Sequence, residues 1–158
     1  MKLVTWTVNS LKVRLPQVLQ WLEMNPVDVL CIQETKLTDD KFPQAEIEAA
    51  GYHVVFTGQK TYNGVAIVSR HPIDAVQKNN PLFEDEQRRI IAATIAGMRI
   101  ICAYVPNGQA LDSEKYPYKL SWLAALRDWV KAEMEQHPQL ALLGDYNIAP
   151  DDRDVHDP

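Results

Sequence analysis

The sequence predicts a mixed α/β sandwich, and two observations carry that prediction. Short apolar runs bounded by turn residues have the length of strands, and amphipathic helical patterns alternate with them in the first and last thirds of the chain. The middle third instead holds consecutive strands, and Gly97 separates the last two of these as in a hairpin. Because parallel strands need a crossover at every step, this order predicts a mixed sheet rather than a purely parallel one.

Seven strands and two helices follow from these patterns. The strands are predicted near residues 2–8, 27–33, 52–57, 64–69, 89–95, 98–105 and 139–143. The first helix presents one apolar stripe at helical spacing, made of Leu15, Val18, Leu19 and Leu22, and Pro16 suits its first turn. The second helix, near residues 114–136, carries the stripe Trp122, Ala125, Leu126, Trp129 and Val130. Both stripes are interpreted as core-packing faces, because tryptophans at helical spacing form core far more often than ligand sites.

Length and composition indicate one globular domain. The chain has 158 residues, of which 46% are apolar and 23% charged, and it shows no repeat or low-complexity tract. Its apolar runs are much shorter than the ~20 residues that a membrane helix needs. The N-terminus turns polar too soon for a signal peptide. The net charge of −5 argues against a broad basic surface for nucleic acid, but a carboxylate-based metal site would itself add negative charge.

The two cysteines, Cys31 and Cys102, each lie inside an apolar run, which predicts buried, reduced thiols. Reduced thiols suit the cytosol, so we expect a cytoplasmic protein that contacts no membrane. A cysteine metal site is not expected, because no second cysteine or histidine stands nearby at ligand spacing.

Polar side chains follow four of the predicted strands. In the stretch LALLGDYNIAP, a buried strand ends in Asp145 and Asn147, which point to the same side because strand side chains have a period of two. In α/β folds ligands bind at the carboxyl ends of strands, so we expect the strand-end groups to meet at one rim. The corresponding groups of the other strands are Thr7 and Asn9, then Gln33 and Glu34, then Tyr104 with the loop residues Asn107 and Gly108.

This set of groups suits metal-assisted hydrolysis of a phosphate ester. Carboxylates and amide oxygens are ligands for Mg²⁺ or Mn²⁺, and asparagine and tyrosine donate hydrogen bonds to phosphate oxygens. The chain has no phosphate-binding glycine loop and no nucleophile elbow. Each residue also has an ordinary interpretation: Glu34 as a solvated strand end or helix cap, Asp145 as a turn residue, Asn147 as an Asx turn and Tyr104 as a strand aromatic. The residues alone leave both interpretations open.

Several segments of the chain resemble the exonuclease III family of DNA-repair nucleases, within the endonuclease/exonuclease/phosphatase superfamily. In order they are TWTVNSLKVRLPQ, PVDVLCIQETKL, YNGVAIVSR, QRRIIAA, YVPNG and LLGDYNIAPDDRDVHDP. The resemblance covers essentially the whole chain, and the strings QET and GDYNIAP are highly specific. It implies a Mg²⁺-dependent phosphodiesterase that cuts double-stranded DNA at abasic sites and trims 3′ ends.

The resemblance also implies a role for each site residue. Glu34 would bind the metal, and Tyr104 would contact the target phosphate. Asp145 would orient or deprotonate the attacking water, while Asn147 would bind the phosphoryl oxygen. Asn9 matches the second asparagine of the family segment WNVN and would support the end of the first strand. Asn9, Asn107 and Gly108 would bind substrate.

The chain departs from the family in two ways. Thr7 stands where the family carries an asparagine of the metal and phosphate shell, and a hydroxyl is shorter and lacks the two N–H donors of the amide. The family also continues for roughly another hundred residues, with an aspartate and a Ser-Asp-His motif that this chain does not contain. We therefore interpret residues 1–158 as the N-terminal portion of one exonuclease III-like domain, part of a four-layer α/β sandwich whose C-terminal part is absent.

Two expectations follow for the isolated chain. The chain is expected to be weakly active or inactive, and the alternative function is a non-catalytic, truncated homologue that binds DNA or a partner. Because the absent part would supply much of the second sheet, the first sheet is expected to expose an apolar inner face. Self-association, docking of the missing segment, or marginal stability would then follow. Other superfamily activities, such as a phosphoinositide phosphatase or a general DNase, are disfavoured by the QETKL and GDYNIAP strings.

Overall fold

The fold has four layers, a helix on each outer side of two stacked four-stranded sheets. The computed structural model describes residues 1–107 and 115–146. The strands, in chain order, are β1 (Leu3–Thr7), β2 (Val29–Gln33), β3 (His53–Thr57), β4 (Val65–Ser69), β5 (Ile73–Lys78), β6 (Ile90–Ile95), β7 (Met98–Tyr104) and β8 (Leu140–Asp145). The helices are α1 (Leu11–Met24), α2 (Gln44–Ala49) and α3 (Lys115–Gln136), with a 3₁₀ turn at Asp39–Lys41. The predicted four-layer α/β class is confirmed.

The first sheet has the strand order β1-β2-β4-β3. β1 runs parallel to β2, with Thr7 opposite Gln33, so the carboxyl ends of these two strands coincide. β4 is antiparallel to both β2 and β3, and Val65 at its start lies opposite Gln33 and Thr57. The loop that connects β3 to β4 therefore reaches the same rim as the ends of β1 and β2.

The second sheet repeats this arrangement with the order β5-β6-β7-β8. β7 and β8 are parallel, and Tyr104 lies opposite Asp145 at their carboxyl ends. β6 is antiparallel to β7, with Ile90 opposite Ala103, so the residues that precede β6 also lie at this end. In the described part of the chain β1 and β8 are outer strands, and they lie next to each other across the two sheets.

Alternate residues of the central strands face different layers. Val29 and Cys31 of β2 point toward the second sheet, whereas Leu30 and Ile32 point toward α1. The same alternation in β6 and β7 places one set of side chains between the sheets and the other set against α3. Both faces of these strands are therefore buried, which explains why they appear in the sequence as continuous apolar runs.

The expectation that the first sheet exposes an apolar inner face is wrong for the described residues. The second sheet covers that face, and the layer between the sheets is fully buried at Ile67 and Ile91, among others. The expectation rested on the second sheet lying largely outside the chain, whereas β5 to β8 build a four-stranded sheet. Self-association and the stability of the isolated chain remain predictions.

The helices pack through the stripes that the sequence indicates. Val18 and Leu22 of α1 are buried against the first sheet. Trp122, Leu126 and Trp129 of α3 are buried against the second sheet, and these tryptophans form core as predicted. Cys31 and Cys102 are both unpaired and buried, which confirms that prediction as well. No helix in the described ranges has the length and apolarity to cross a membrane.

Two elements were absent from the predictions, each for a physical reason. β5 has the sequence IDAVQK and is a largely exposed outer strand, so it has no apolar run to mark it. α2 has only six residues and buries a single side chain, Ile47, which is too little for helical periodicity to be visible. Both elements are held by tertiary contacts rather than by a local pattern.

Replacement of Ile67 by alanine tests whether the second sheet covers the first. Ile67 is fully buried between the sheets, so Ile67→Ala should lower the free energy of unfolding by about 2–5 kcal/mol. The matched control is Val76→Ala on β5, where the side chain is 40% exposed and the expected change is within about 0.5 kcal/mol. Urea unfolding followed by tryptophan fluorescence measures both. Equally small decreases in the free energy of unfolding at the two positions would show that solvent reaches the inner face of the first sheet.

Candidate functional site

The carboxyl ends of four strands bring the candidate groups together at one rim. The parallel pairs β1/β2 and β7/β8 deliver Thr7, Glu34, Tyr104 and Asp145 from both sheets. Two contacts cross between the sheets at this rim, one from Thr7 to Asp145 and one between Tyr104 and Glu34. The structure therefore gathers these four predicted residues into one cluster.

Thr7 is hydrogen-bonded to the carboxylate of Asp145. The distance from Thr7 Oγ1 to Asp145 Oδ2 is 3.2 Å, and Thr7 Oγ1 also lies 3.2 Å from Gln33 Oε1. A hydroxyl has one proton, so Thr7 can donate to only one of these two acceptors at a time. Thr7 is thus a link between the buried amide of Gln33 and the strand-end carboxylate.

Gln33 anchors that link from inside the fold. Its side chain is fully buried. Nε2 donates to Thr5 Oγ1 at 2.9 Å and to Cys102 Sγ at 3.3 Å, and Thr5 Oγ1 lies 3.1 Å from Oε1. A buried amide without hydrogen-bond partners would destabilise the fold, and these contacts give partners to both the nitrogen and the oxygen of the Gln33 amide. Gln33 therefore joins β1, β2 and β7 beneath the rim.

Tyr104 and Glu34 form the second contact between the sheets. The Glu34 side chain and the Asp145 carboxylate both lie close enough to the phenol to act on it electrostatically. Burial, followed by the negative charge of Glu34, raises the pKa of Tyr104 to about 12. Tyr104 is therefore a protonated hydrogen-bond donor at neutral pH.

Arg89 packs on the face of the Tyr104 ring. Its guanidinium carbon lies 4.9 Å from the centre of the Tyr104 ring, and Nη1 donates to the Tyr104 carbonyl at 3.2 Å. A cavity of about 390 Å³ opens beside this pair. Its lining includes Glu34, Asn63, Arg89, Tyr104, Asn107 and Tyr118. The candidate groups thus border a space large enough for part of a substrate.

The rim is built from strained backbone. Glu34 has φ = 58°, and Asn9 and Lys36 have φ = 49° and 58°, in the left-handed region that non-glycine residues rarely adopt. Hydrogen bonds from neighbouring loops hold this conformation: Ser10 N donates to Glu34 O at 2.8 Å, and Lys36 N donates to Asn63 O at 2.9 Å. Such conformations persist only where the surrounding structure determines them, and they cluster at functional sites.

Gly144 permits the close approach of β8 to β7 just before Asp145. A Cβ atom at this position would lie 1.8 Å from the Ala103 carbonyl oxygen, its neighbour in the parallel pair. No side chain fits there. The glycine of the LLGD string therefore lets Asp145 reach the register in which it lies opposite Tyr104.

Asn9 and Asn107 lie at the edge of the cluster. The Asn9 side-chain oxygen accepts a hydrogen bond from Lys36 Nζ at 2.7 Å, in keeping with a supporting role at the end of β1. Asn107 is exposed and lines the cavity together with Glu34. Gly108 and Asn147 lie outside the described residues. The roles given to all these residues remain predictions.

The donor set fits a hard divalent cation. Glu34 and Asp145 supply carboxylate oxygens near the Tyr104 phenol. In residues 1–107 and 115–146 no group of three His, Cys, Asp or Glu side chains forms a metal cage. This does not conflict with Mg²⁺, which is commonly bound through only one or two carboxylates with water and substrate oxygens completing its shell.

Sequence reasoning missed the groups that support Tyr104. Arg89 and Tyr118 both line the cavity, and Asp85 accepts a hydrogen bond from Tyr118. The one visible signal was the pair of arginines in QRRII, directly before a core strand, where two cations have no core-packing purpose. Tyr118 gave no signal, because a tyrosine in a helix with several other aromatic residues is inconspicuous.

Comparisons with known proteins identify the family that has this fold. The model of the endonuclease/exonuclease/phosphatase family matches residues 4–158. Exodeoxyribonuclease III of Haemophilus influenzae is 32% identical over 161 residues, which cover 98% of this chain and 60% of that protein. A solved 3′ phosphatase from Neisseria bound to a product DNA hairpin is 55% identical, with a TM-score of 0.96, and the match covers 100% of this chain and 62% of that one.

A third relative is an AP endonuclease from Archaeoglobus fulgidus, which is 43% identical with a TM-score of 0.93. That match covers 99% of this chain and 61% of the other. The chain thus spans about 60% of the length of the relatives that it matches. The family match extends over nearly all of the sequence and includes every strand that builds the rim. The chain therefore belongs to the endonuclease/exonuclease/phosphatase family.

Proposed function

We propose that this chain carries the catalytic rim of a divalent-metal-dependent DNA-repair phosphodiesterase. Its substrate is double-stranded DNA, cut beside abasic sites or trimmed at 3′ ends. The observation that carries the proposal is the convergence of Glu34, Tyr104, Asp145 and Thr7 from both sheets, with Thr7 hydrogen-bonded to Asp145 and Glu34 beside the Tyr104 phenol. Two carboxylates can bind a metal ion and orient an attacking water, while the protonated phenol donates a hydrogen bond to a phosphate oxygen.

The names of the relatives support the same chemistry. They are an exodeoxyribonuclease III, a 3′ phosphatase bound to product DNA and an AP endonuclease. All three activities hydrolyse a phosphate ester in DNA, and they differ in where that ester lies. We therefore assign the shared reaction to this rim and leave the choice among the three esters to experiment.

Glu34 would hold the metal, with Mg²⁺ as the expected ion and Mn²⁺ as a substitute. When bound, such an ion polarises a phosphate oxygen and lowers the pKa of water in its shell. The strained backbone at Glu34 fixes the direction of the carboxylate in advance. A preset ligand suits a cation that tolerates little distortion of its coordination geometry.

The chain's own residues would then act on the phosphate and the water. The phenol of Tyr104 is a donor that can move from Glu34 to a phosphate oxygen when DNA binds. Asp145 would accept the proton of the attacking water, and the Thr7 hydroxyl would hold its carboxylate in place. By resemblance to the family, Asn147 would donate to the phosphoryl oxygen.

Incision assays on three DNA substrates test the proposal directly. The naturally expressed full-length protein is mixed with a duplex bearing an abasic site, a hairpin ending in a 3′ phosphate and a duplex with a recessed 3′ end. Hydrolysis of at least one substrate with Mg²⁺, and none in EDTA, is the expected result. Binding of DNA without hydrolysis would instead identify a non-catalytic module. Hydrolysis of a phosphoinositide but not of DNA would place the chain elsewhere in its superfamily.

Glu34→Gln should abolish the Mg²⁺-dependent rate without unfolding the protein. The amide keeps the size and one acceptor oxygen of the carboxylate but lacks the charge that holds a cation. At limiting Mg²⁺ we expect a loss greater than about 100-fold, beyond the 10–100-fold typical of losing a mere supporting partner of a metal ligand. The matched control, Glu135→Gln, changes an exposed glutamate of α3 and should leave the rate unaltered. Wild-type activity of Glu34→Gln at low Mg²⁺ would remove Glu34 from the site.

Thr7→Asn should raise the rate, and the gain should depend on Asp145. The single Thr7 proton is shared between Asp145 and Gln33, whereas an amide offers two N–H donors. We expect a gain of about tenfold, or about 1.4 kcal/mol of transition-state stabilisation. Asp145→Asn should reduce the rate by roughly 10²–10⁴-fold while nearly sparing DNA affinity.

Single-turnover incision by the two single mutants and the double mutant measures this coupling. Thr7→Asn should bring no gain once Asp145 is an asparagine, because no carboxylate remains to be oriented. Thr7→Ser is the control, since it keeps the hydroxyl. An unchanged or lower rate for Thr7→Asn would show that threonine is a working alternative to the family's amide.

A further inference from the structure

A second tyrosine, Tyr118, lies behind the candidate site on the first turns of α3. Its hydroxyl donates to Asp85 Oδ2 at 2.5 Å, and its ring packs edge-on against Phe83 with 6.1 Å between the ring centres. The hydroxyl also interacts with the Arg89 guanidinium. We call Asp85, Arg89 and Tyr118 the arginine clamp, because Asp85 and Tyr118 both interact with the Arg89 guanidinium that packs on Tyr104.

Arg89 holds Tyr104 at its backbone and at its ring. Tyr104 N donates to the Arg89 carbonyl at 2.8 Å, while Arg89 Nη1 donates to the Tyr104 carbonyl at 3.2 Å. The guanidinium also covers the ring, and its Nε donates to Gln87 Oε1 at 2.7 Å. Because the cation packs on the face of the ring, it limits rotation of the phenol away from Glu34.

Asp85 is a competitor for the same cation. It attracts the Arg89 guanidinium electrostatically, yet no ion pair within the described residues joins the two side chains. Asp85 Oδ2 instead accepts the Tyr118 hydroxyl, and Oδ1 accepts Gln87 N at 3.0 Å. A charge-assisted hydrogen bond of this kind is strong. It holds the carboxylate in a position from which it makes no ion pair with Arg89, so that the guanidinium stays on the Tyr104 ring.

We propose that Tyr118 is a positioning residue for Tyr104, acting by holding Asp85 so that Arg89 stays on the Tyr104 ring. The inference rests on the proposed function, because it concerns how the Tyr104 side chain of that site is held in position. It adds α3 to the elements that determine the site, although no group of α3 belongs to the rim cluster. Tyr118 thereby couples the packing of this outer helix to the direction of the Tyr104 hydroxyl.

Tyr118→Phe in the naturally expressed full-length protein tests this inference. The ring and its packing on Phe83 are kept, and only the hydroxyl is lost. We expect single-turnover hydrolysis of the preferred DNA substrate to slow by roughly 10–100-fold, as for a small misplacement of a reacting group. DNA affinity in EDTA should not change. The matched control is Tyr116→Phe, on the same helix but outside the clamp, which should retain the full rate.

The double mutant Tyr118→Phe/Asp85→Asn gives a signature that a merely structural role would not produce. Neutralising Asp85 removes the competitor, so the double mutant should cut faster than Tyr118→Phe alone. Thermal unfolding of all variants checks that the fold is kept. A wild-type rate for Tyr118→Phe, or no recovery in the double mutant, would overturn the inference. Failure of the wild-type protein to hydrolyse any DNA substrate would instead overturn the proposed function.

Discussion

Parallel pairing at two places determines where every candidate group of this protein lies. β1 with β2, and β7 with β8, each end at a common level, and the stacking of the two sheets brings these ends together. Once that is fixed, Glu34 meets Tyr104 and Thr7 meets Asp145 without any long loop to carry them. The antiparallel neighbours β4 and β6 contribute their starts to the same rim. The supporting loops therefore arrive there as well.

The buried layers and the rim are coupled by a few polar groups rather than by apolar packing alone. Gln33 is fully buried, yet it reaches Thr5, Thr7 and Cys102 and so ties three strands together below the rim. Arg89 ties β6 to β7 through the backbone and side chain of Tyr104. Buried polar networks of this kind specify one arrangement because any other would leave their hydrogen bonds unmade. The rim is therefore positioned by buried hydrogen bonds whose loss would lower the stability of the fold.

The sequence was informative where burial imposes a pattern. All seven predicted strands exist, and the Trp122, Leu126 and Trp129 stripe packs as core, because apolar runs and helical spacing reflect burial directly. β5 and α2 were not visible, since exposed or very short elements depend on contacts that no local pattern records. The strand-end rule predicted the cluster of Glu34, Tyr104 and Asp145. It could not predict Arg89, Asp85 and Tyr118, whose partnership depends on three-dimensional packing between a loop and a distant helix.

The position of β1 and β8 as outer strands bears on the motions of the site. Each of these strands has a backbone partner on one side only within the described chain, and Thr7 and Asp145 lie at their ends. Outer strands open locally at a lower free energy than central ones, so their amide protons exchange with solvent sooner. Within the described residues, the Thr7–Asp145 hydrogen bond therefore joins the ends of two outer strands. In the described part of the chain, the arrangement of this rim is therefore more easily lost by local opening of these two strands than by loss of the packing at Ile67 and Ile91.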